Sequence, residues 1–149
     1  MRTHVGDLAL QNPVMAASGT FGYGLDLVEF CPPERLGGVV TKGLSPKPRR
    51  GNPTPRIVET AAGMINAIGL QNIGVEAFCR DALPELRRRN VLVVVNVFGE
   101  TQDAYLEVIA RCERDEGIAA YELNVSCPNV TAGVMEFGPD AGTLMSLVA

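Results

Sequence analysis

The sequence predicts an α/β fold built from strand–helix units around a parallel sheet. Short β-branched runs alternate with helical patterns, and the run at residues 91–97 is apolar on both faces, as expected for a strand buried in such a sheet. A length of 149 residues and a hydrophobic content of 46% suffice for one sizeable core. We therefore expect one domain, or part of one.

The predicted strands occupy residues 14–17, 39–41, 91–97 and 121–125. Eight strand–helix units close a β/α barrel, whose usual length is roughly 250 residues. The four units of this sequence correspond to half of such a barrel. Residues 1–149 are therefore expected to be the N-terminal half of a single TIM-type (β/α)8 barrel domain, truncated at its C-terminal end and open at two sheet edges.

Three segments carry apolar residues on one helical face, and each predicts a helix. In the first, residues 75–86, Pro84 removes a backbone donor and should kink or end the helix. The second is placed to begin after the cap residue Thr101 and to end at Gly117. The last begins after Asp140, a plausible cap.

Two connecting segments differ from ordinary solvated linkers. Residues 44–55 contain prolines with basic residues between them, which predicts a surface loop without regular structure, and such loops often carry function. Residues 63–72 mix glycines, apolar residues and amides. Taken alone, this second segment could be a buried connecting loop.

Composition argues against several classes of partner and site. A net charge of -4 and a pI near 5.0 provide no basic field for nucleic acid. No apolar run approaches the roughly 20 residues of a membrane span, and no signal pattern begins the chain, so we expect a soluble cytoplasmic protein. The spacing of the cysteines predicts neither a metal site nor a disulfide framework, and Cys31, Cys79 and Cys112 are assigned no chemistry.

Polar residues follow the predicted strands at the end where ligands bind in β/α folds. They are Ser18 in a glycine-rich turn, Lys42 with Gly43, Asn96 and Asn124. A buried ammonium needs an anionic partner, and an unpaired amide costs roughly 1–3 kcal/mol. The two amides at matching strand ends predict a shared polar ligand, although a plain turn and a lysine that reaches solvent would explain the first two positions.

Cys127 directly follows the fourth strand, held by Pro128 and flanked by Asn124 and Asn129. No histidine lies nearby in the sequence, so a Cys–His nucleophile is not expected. A small buried hydrophobe is the plain alternative for such a cysteine. The flanking amides favour a functional thiol.

Four motifs occur in the order found in class 1 dihydroorotate dehydrogenases, and the chain most closely resembles the B type of that family. They are NPVMAASGTFGYG at residues 12–24, TKG at 41–43, NAIGLQN at 66–72 and NVSCPN at 124–129. The resemblance implies a β/α barrel that oxidises dihydroorotate to orotate in pyrimidine (UMP) biosynthesis, with hydride transfer to FMN. It also implies that Cys127 is the general base that removes the proton from C5 of the substrate.

The same resemblance implies a set of binding residues and partners. The substrate would be surrounded by Lys42, Asn66, Ala67, Ile68, Gly69, Leu70, Asn124 and Asn129. The FMN would contact Ser18, Lys42, Gly43, Asn96 and Asn124. B-type members work with an electron-transfer subunit that carries FAD and an iron–sulfur cluster and passes electrons to NAD, and we also expect a homo-oligomer.

Two alternatives remain open. The chain could be a non-catalytic half-barrel that associates through its open edges. It could instead be a related flavin barrel of the dihydropyrimidine dehydrogenase type, which shares the Asn and Cys-Pro-Asn pattern but acts on another pyrimidine. Residues 20–24 and 66–72 fit dihydroorotate dehydrogenases better.

Overall fold

The computed structural model describes residues 1–125 and 138–149. The strands of this part are β1 (Thr3–Val5), β2 (Leu8–Leu10), β3 (Met15–Ala16), β4 (Gly38–Val40), β5 (Ile57–Thr60), β6 (Gly63–Asn66), β7 (Val93–Val97) and β8 (Ile118–Leu123). The helices are α1 (Val75–Ala77), α2 (Leu83–Arg88), α3 (Gln102–Cys112) and α4 (Ala141–Val148), with a π-helical turn at Phe78–Ala82 and a 3-10 turn at Pro33–Arg35.

The central feature is a parallel four-stranded sheet in the order β3-β4-β7-β8, as the alternating pattern predicted. All five residues of β7 are buried, which agrees with its apolar character on both faces. The predicted strand boundaries shift by a few residues, and β8 begins at Ile118 rather than at residue 121. Helices α1 to α3 pack beside this sheet around one hydrophobic cluster.

Two antiparallel hairpins were not predicted. One pairs β1 with β2, and the other pairs β5 with β6. Every residue of β5 and β6 is exposed, so these strands lack the alternation of buried and exposed positions that marks a half-buried strand in a sequence. The interpretation of residues 63–72 as a connecting loop that could be buried is therefore wrong at its start, where Gly63–Asn66 forms the exposed strand β6.

Pro84 widens its helix locally without ending it. The N–H of Leu83 donates to the carbonyl of Phe78, five residues earlier, so the chain makes a π-helical turn directly before the proline. Proline lacks an N–H and its ring crowds the preceding turn, and the wider turn relieves this conflict. The chain then continues into α2, which ends at Arg88.

Two cap predictions are confirmed, and one helix end is wrong. The Thr101 hydroxyl oxygen accepts from the N–H of Ala104 at 3.3 Å, and Asp140 caps α4 in the same way. Helix α3 ends at Cys112, however, and Gly117 instead stands directly before β8 with a φ of +102°. A Cβ there would lie 2.3 Å from Cγ of Arg87, so this turn requires glycine.

The proline-rich segment is a surface loop only in part. Leu44 is 0% exposed, its N–H donates to the carbonyl of Asn96, and its carbonyl accepts from the N–H of Phe98. Ser45 is buried as well. The prediction of a surface loop is therefore wrong at Leu44 and Ser45. Here the chain still runs alongside β7 after the end of β4, and it reaches the surface only at the following prolines.

Candidate functional site

Four of the residues singled out in the sequence converge at the C-terminal end of the parallel sheet. Lys42 and Gly43 follow β4, Asn96 lies near the end of β7, and Asn124 directly follows β8. A Cβ on Gly43 would lie 2.8 Å from Oδ1 of Asn96 and 3.9 Å from Nδ2 of Asn124. The backbone at Gly43 therefore passes close to both amides, which no larger residue would permit.

Asn96 is 4% exposed and held on two sides. Its N–H donates to Oγ1 of Thr41 at 3.2 Å, and its Nδ2 donates to Oε1 of Glu122 at 2.5 Å. Its Oδ1 is buried and has no hydrogen-bond partner within residues 1–125 and 138–149. Because an unsatisfied buried acceptor costs roughly 1–3 kcal/mol, this oxygen is suited to accept a hydrogen bond from a bound ligand.

Asn96 and Asn124 do not stand opposite each other, contrary to their expected matching positions. The β7–β8 register pairs Asn96 with Glu122. Asn124 lies beyond the end of the pairing, where its N–H donates to the carbonyl of Val97 and its carbonyl accepts from the hydroxyl of Tyr105 at 2.7 Å. The two amides therefore approach Gly43 from different positions along the strand direction, with Asn96 inside the sheet and Asn124 just beyond its end.

The turn after β3 lies against the start of the loop after β4. Oγ of Ser18 donates to the carbonyl of Thr41 at 2.8 Å, so its lone pairs stay available while its proton is used. The N–H of Lys42 donates to the carbonyl of Gly22 at 2.8 Å. A Cβ on Gly19 would lie 3.6 Å from Nζ of Lys42, so the lysine side chain extends over this turn.

A cavity of about 680 Å³ opens beside Lys42. It is lined by Tyr23, Lys42, Pro48, Arg49, Arg50, Ile68, Gln71, Asn72 and Ile73. Three of these side chains are cationic and none is a carboxylate, although Arg49 also forms an ion pair with Glu100 at 2.5 Å. The lining is thus suited to an anionic ligand with polar edges.

Tyr23 forms part of the wall of this cavity. Its hydroxyl oxygen accepts from the N–H of Ile73 at 3.1 Å, and its ring packs against Phe78 with centroids 5.9 Å apart. Burial raises the pKa of Tyr23 above its ordinary value. The phenol is therefore neutral at physiological pH and keeps a proton to donate.

Of the loop residues expected at the substrate, Ile68 lines the cavity with Lys42. Asn66 and Ala67 are exposed, and Gly69 and Leu70 are buried. The loop is anchored by Asn52, whose N–H donates to the carbonyl of Ile68 and whose side chain donates to that of Ala67. Cys127 and Asn129 lie outside the described residues.

Sequence reasoning missed the cavity residues Tyr23, Arg49 and Arg50 and the contact of Glu122 with Asn96. The basic residues between the prolines could have indicated Arg49 and Arg50, because this loop follows a strand whose end was already predicted to bind a ligand. Glu122 could have been found only from the strand register, since its place two residues before Asn124 gives no indication of its partner in β7.

Residues 1–148 match the family model described as dihydroorotate dehydrogenase. The chain is 52% identical over 149 residues to the protein named dihydroorotate dehydrogenase B (NAD(+)), catalytic subunit, of Trichlorobacter lovleyi, covering 100% of this chain and 49% of that protein. The protein of the same name from Thermodesulfovibrio yellowstonii is 52% identical over 138 residues, covering 93% and 46%. The chain spans about half the length of the curated relatives it matches.

Two solved structures share the fold. A ligand-free DHODH from Eimeria tenella superposes with a TM-score of 0.75 at 24% identity, covering 99% of this chain and 44% of that one. The ferulenol complex of DHODH from the same organism gives a TM-score of 0.66 at 26% identity, covering 89% and 38%. The predicted α/β fold of the TIM-barrel class is confirmed.

Proposed function

The chain belongs to the dihydroorotate dehydrogenase family, and from that premise we propose that its site takes part in the oxidation of dihydroorotate to orotate in pyrimidine biosynthesis. The observation that carries the proposal is the convergence of Asn96, Asn124 and Lys42 around Gly43. A buried amide oxygen without a partner, a close-packed glycine and an adjacent ammonium are the features of a site for a flat ligand with polar edges.

FMN fits these residues. The unpartnered Oδ1 of Asn96 can accept from a ring N–H, and the backbone at Gly43 leaves room where a side chain would intrude. We propose that Ser18, Lys42, Gly43, Asn96 and Asn124 hold the cofactor. When bound, FMN supplies the acceptor for the hydride that leaves the substrate. The ammonium of Lys42 favours negative charge in its neighbourhood.

The cationic cavity beside Lys42 is the proposed place of the substrate. Dihydroorotate carries a carboxylate, and Lys42 and Arg50 offer positive charge to it without a carboxylate in the described lining. Ile68 covers part of the ring, and the neutral phenol of Tyr23 can donate to a ring carbonyl. The further substrate residues of this proposal are Asn66, Ala67, Gly69, Leu70, Asn124 and Asn129.

Cys127 is the proposed general base. It follows Asn124 by three positions in the sequence, and the backbone of Asn124 is fixed by the hydroxyl of Tyr105 and by Val97. A free thiol has a pKa of about 8.5, so a modest lowering provides a thiolate near neutral pH. A positioned base that takes the C5 proton contributes roughly 10²- to 10⁴-fold to the rate.

The proposal extends to the partners. The relatives are named as NAD(+)-dependent catalytic subunits, so we propose an electron-transfer subunit that carries FAD and an iron–sulfur cluster and delivers electrons to NAD. A homo-oligomer of the catalytic chain is part of the same proposal. Co-purification of the chain with its candidate partner, followed by size measurement, tests both points.

The decisive experiment is a visible spectrum of the chain after incubation with FMN and dialysis, followed by anaerobic addition of dihydroorotate. The proposal expects retained flavin that bleaches, with bleaching lost in Cys127→Ala and retention reduced in Asn96→Ala. Retained flavin that stays oxidised would contradict dihydroorotate as the substrate of this chain. Failure to retain flavin would contradict the cofactor site itself.

A further inference from the structure

Two cysteines outside the proposed site face each other across the helical layer. Cys79 lies in the π-helical turn before Pro84, and Cys112 is the last residue of α3. They are 4% and 0% exposed, and both belong to the same buried cluster. Their side chains are in hydrogen-bond contact with each other. The pair therefore joins two helical segments that are well separated in sequence.

Charged residues border this pair on its outer side. Nε of Arg111 binds Glu76 at 2.8 Å, and its Nη1 binds Asp115 at 2.5 Å. Arg111 thus links α1 to the end of α3 beside the thiols. Neither cysteine takes part in the dehydrogenase site, since both lie among the helices and away from the strand ends that carry Lys42 and Asn96.

The surroundings distinguish the two thiols. The hydrogen bond with Cys112 and the charge of Arg111 lower the pKa of Cys79 against the opposing effects of burial and of the Asp115 carboxylate. The same hydrogen bond, together with burial, raises the pKa of Cys112. Because thiolates and not thiols react with peroxides, Cys79 is the member of the pair suited to react first. Cys112 remains protonated beside it.

An oxidant reaches the buried sulfur of Cys79 only where the helix opens locally. The π-helical turn that contains Cys79 is a rare departure from α geometry. We place the opening at this turn, which would expose Cys79 while the sheet stays folded. Regular α3 holds Cys112 in place meanwhile.

We propose that Cys79 and Cys112 are a thiol pair that an organic or inorganic hydroperoxide converts to an intramolecular disulfide. The Cys79 sulfur attacks the peroxide, the O–O bond breaks, and sulfenic acid forms with release of water or an alcohol. The Cys112 sulfur then forms the S–S bond, the S–O bond breaks, and the hydroxyl leaves as water with the Cys112 proton. The two thiols lose two electrons, and the peroxide gains them.

The test uses the full chain and peptide mapping. The chain is treated with hydrogen peroxide, denatured, alkylated and digested without reductant. We expect a cross-linked peptide containing Cys79 and Cys112 with the mass of two hydrogens lost, and its disappearance after reduction. Cys31→Ser is the matched control and should leave the cross-link unchanged, because Cys31 lies in a loop, outside this pair.

Serine variants identify the order of reaction. In Cys112→Ser, dimedone should label Cys79, whereas in Cys79→Ser it should leave Cys112 unlabelled. Full alkylation of both cysteines at a peroxide dose that oxidises Cys31, or cross-links only between chains, would overturn the proposal. The map of the unsubstituted chain decides this even where a serine variant fails to fold.

Discussion

Glu122 determines which end of the Asn96 amide faces Gly43. Oε1 of Glu122 accepts from Nδ2 of Asn96 at 2.5 Å across the β7–β8 register, and Oδ1 is thereby directed to the region of Gly43. A carboxylate can only accept, so the amide cannot turn over without losing this bond. Glu122 is therefore a positioning residue for the proposed cofactor site.

Removing that carboxylate should weaken flavin binding. In Glu122→Ala the amide loses a charge-assisted hydrogen bond worth about 1.5–3 kcal/mol, and we expect FMN affinity to fall at least about tenfold. Glu122→Gln should restore most of it, since its carbonyl can still accept. Titration of FMN fluorescence measures the affinity. Glu107→Ala, an exposed glutamate on α3, is the control, and an equal loss there would contradict the positioning role.

A single methyl group at Gly43 should close the site. Gly43→Ala places its Cβ 2.8 Å from Oδ1 of Asn96, so the amide must shift, and overpacking of this kind costs about 1–3 kcal/mol. We expect loss of FMN retention and a lower free energy of unfolding. Gly142→Ala is the matched control, because its Cβ meets Oδ2 of Asp140 at an ordinary 3.4 Å and alanine favours the helix. Unchanged flavin binding in Gly43→Ala would refute the close approach.

Loss of the Tyr105 hydroxyl should loosen the chain after β8. Tyr105 is 2% exposed and donates to the carbonyl of Asn124, so Tyr105→Phe leaves this half-buried acceptor without that donor. We expect the free energy of unfolding to fall by about 0.5–1.5 kcal/mol in urea denaturation. Tyr121→Phe removes a hydroxyl whose partner, Glu113, is exposed, and should cost less. Equal effects of the two variants would argue against the anchoring role.

Acid should remove the stabilisation that Glu85 provides. Hydrogen bonds from Arg88 and then Arg89 lower the pKa of Glu85 from 4.5 to about 2. A carboxyl whose folded-state pKa is lowered stabilises the fold above pH 4.5, and this contribution is lost as the pH falls through about 2. The thermal midpoint of Glu85→Gln should therefore lie below that of the unsubstituted chain at neutral pH, with the gap narrowing in acid. A gap that is constant with pH, or equally present in Glu107→Gln, would contradict this.

Apolar runs and caps made much of the fold predictable. The buried β7 and the caps Thr101 and Asp140 rest on local rules, and the structure confirms them. The β5–β6 hairpin was not predictable in this way, because none of its residues is buried. The end of α3 at Cys112 was also misjudged, since Gly117 serves the turn before β8.

The candidate site likewise contains residues that local sequence predicts and residues that it does not. Residues at strand ends, such as Lys42 and Asn96, could be selected because parallel strands bring their ends together. The partner of Asn96 depends on register, which is a long-range property that a single sequence does not state. The position of Arg49 and Arg50 beside Lys42 could not be predicted, because it depends on the path of the proline-rich loop.

The hydrogen bond from the N–H of Asn96 to Thr41 joins residues 55 positions apart, and the edge of β4 pairs directly with β7. During synthesis on the ribosome, β4 can pair with the earlier strand β3, but its other edge has no partner until β7 has emerged. Contacts of such sequence separation form late and slow the folding rate. A nascent chain halted before β7 can form the β5–β6 pairing, which is local, but it lacks Asn96 and Asn124 of the proposed cofactor site.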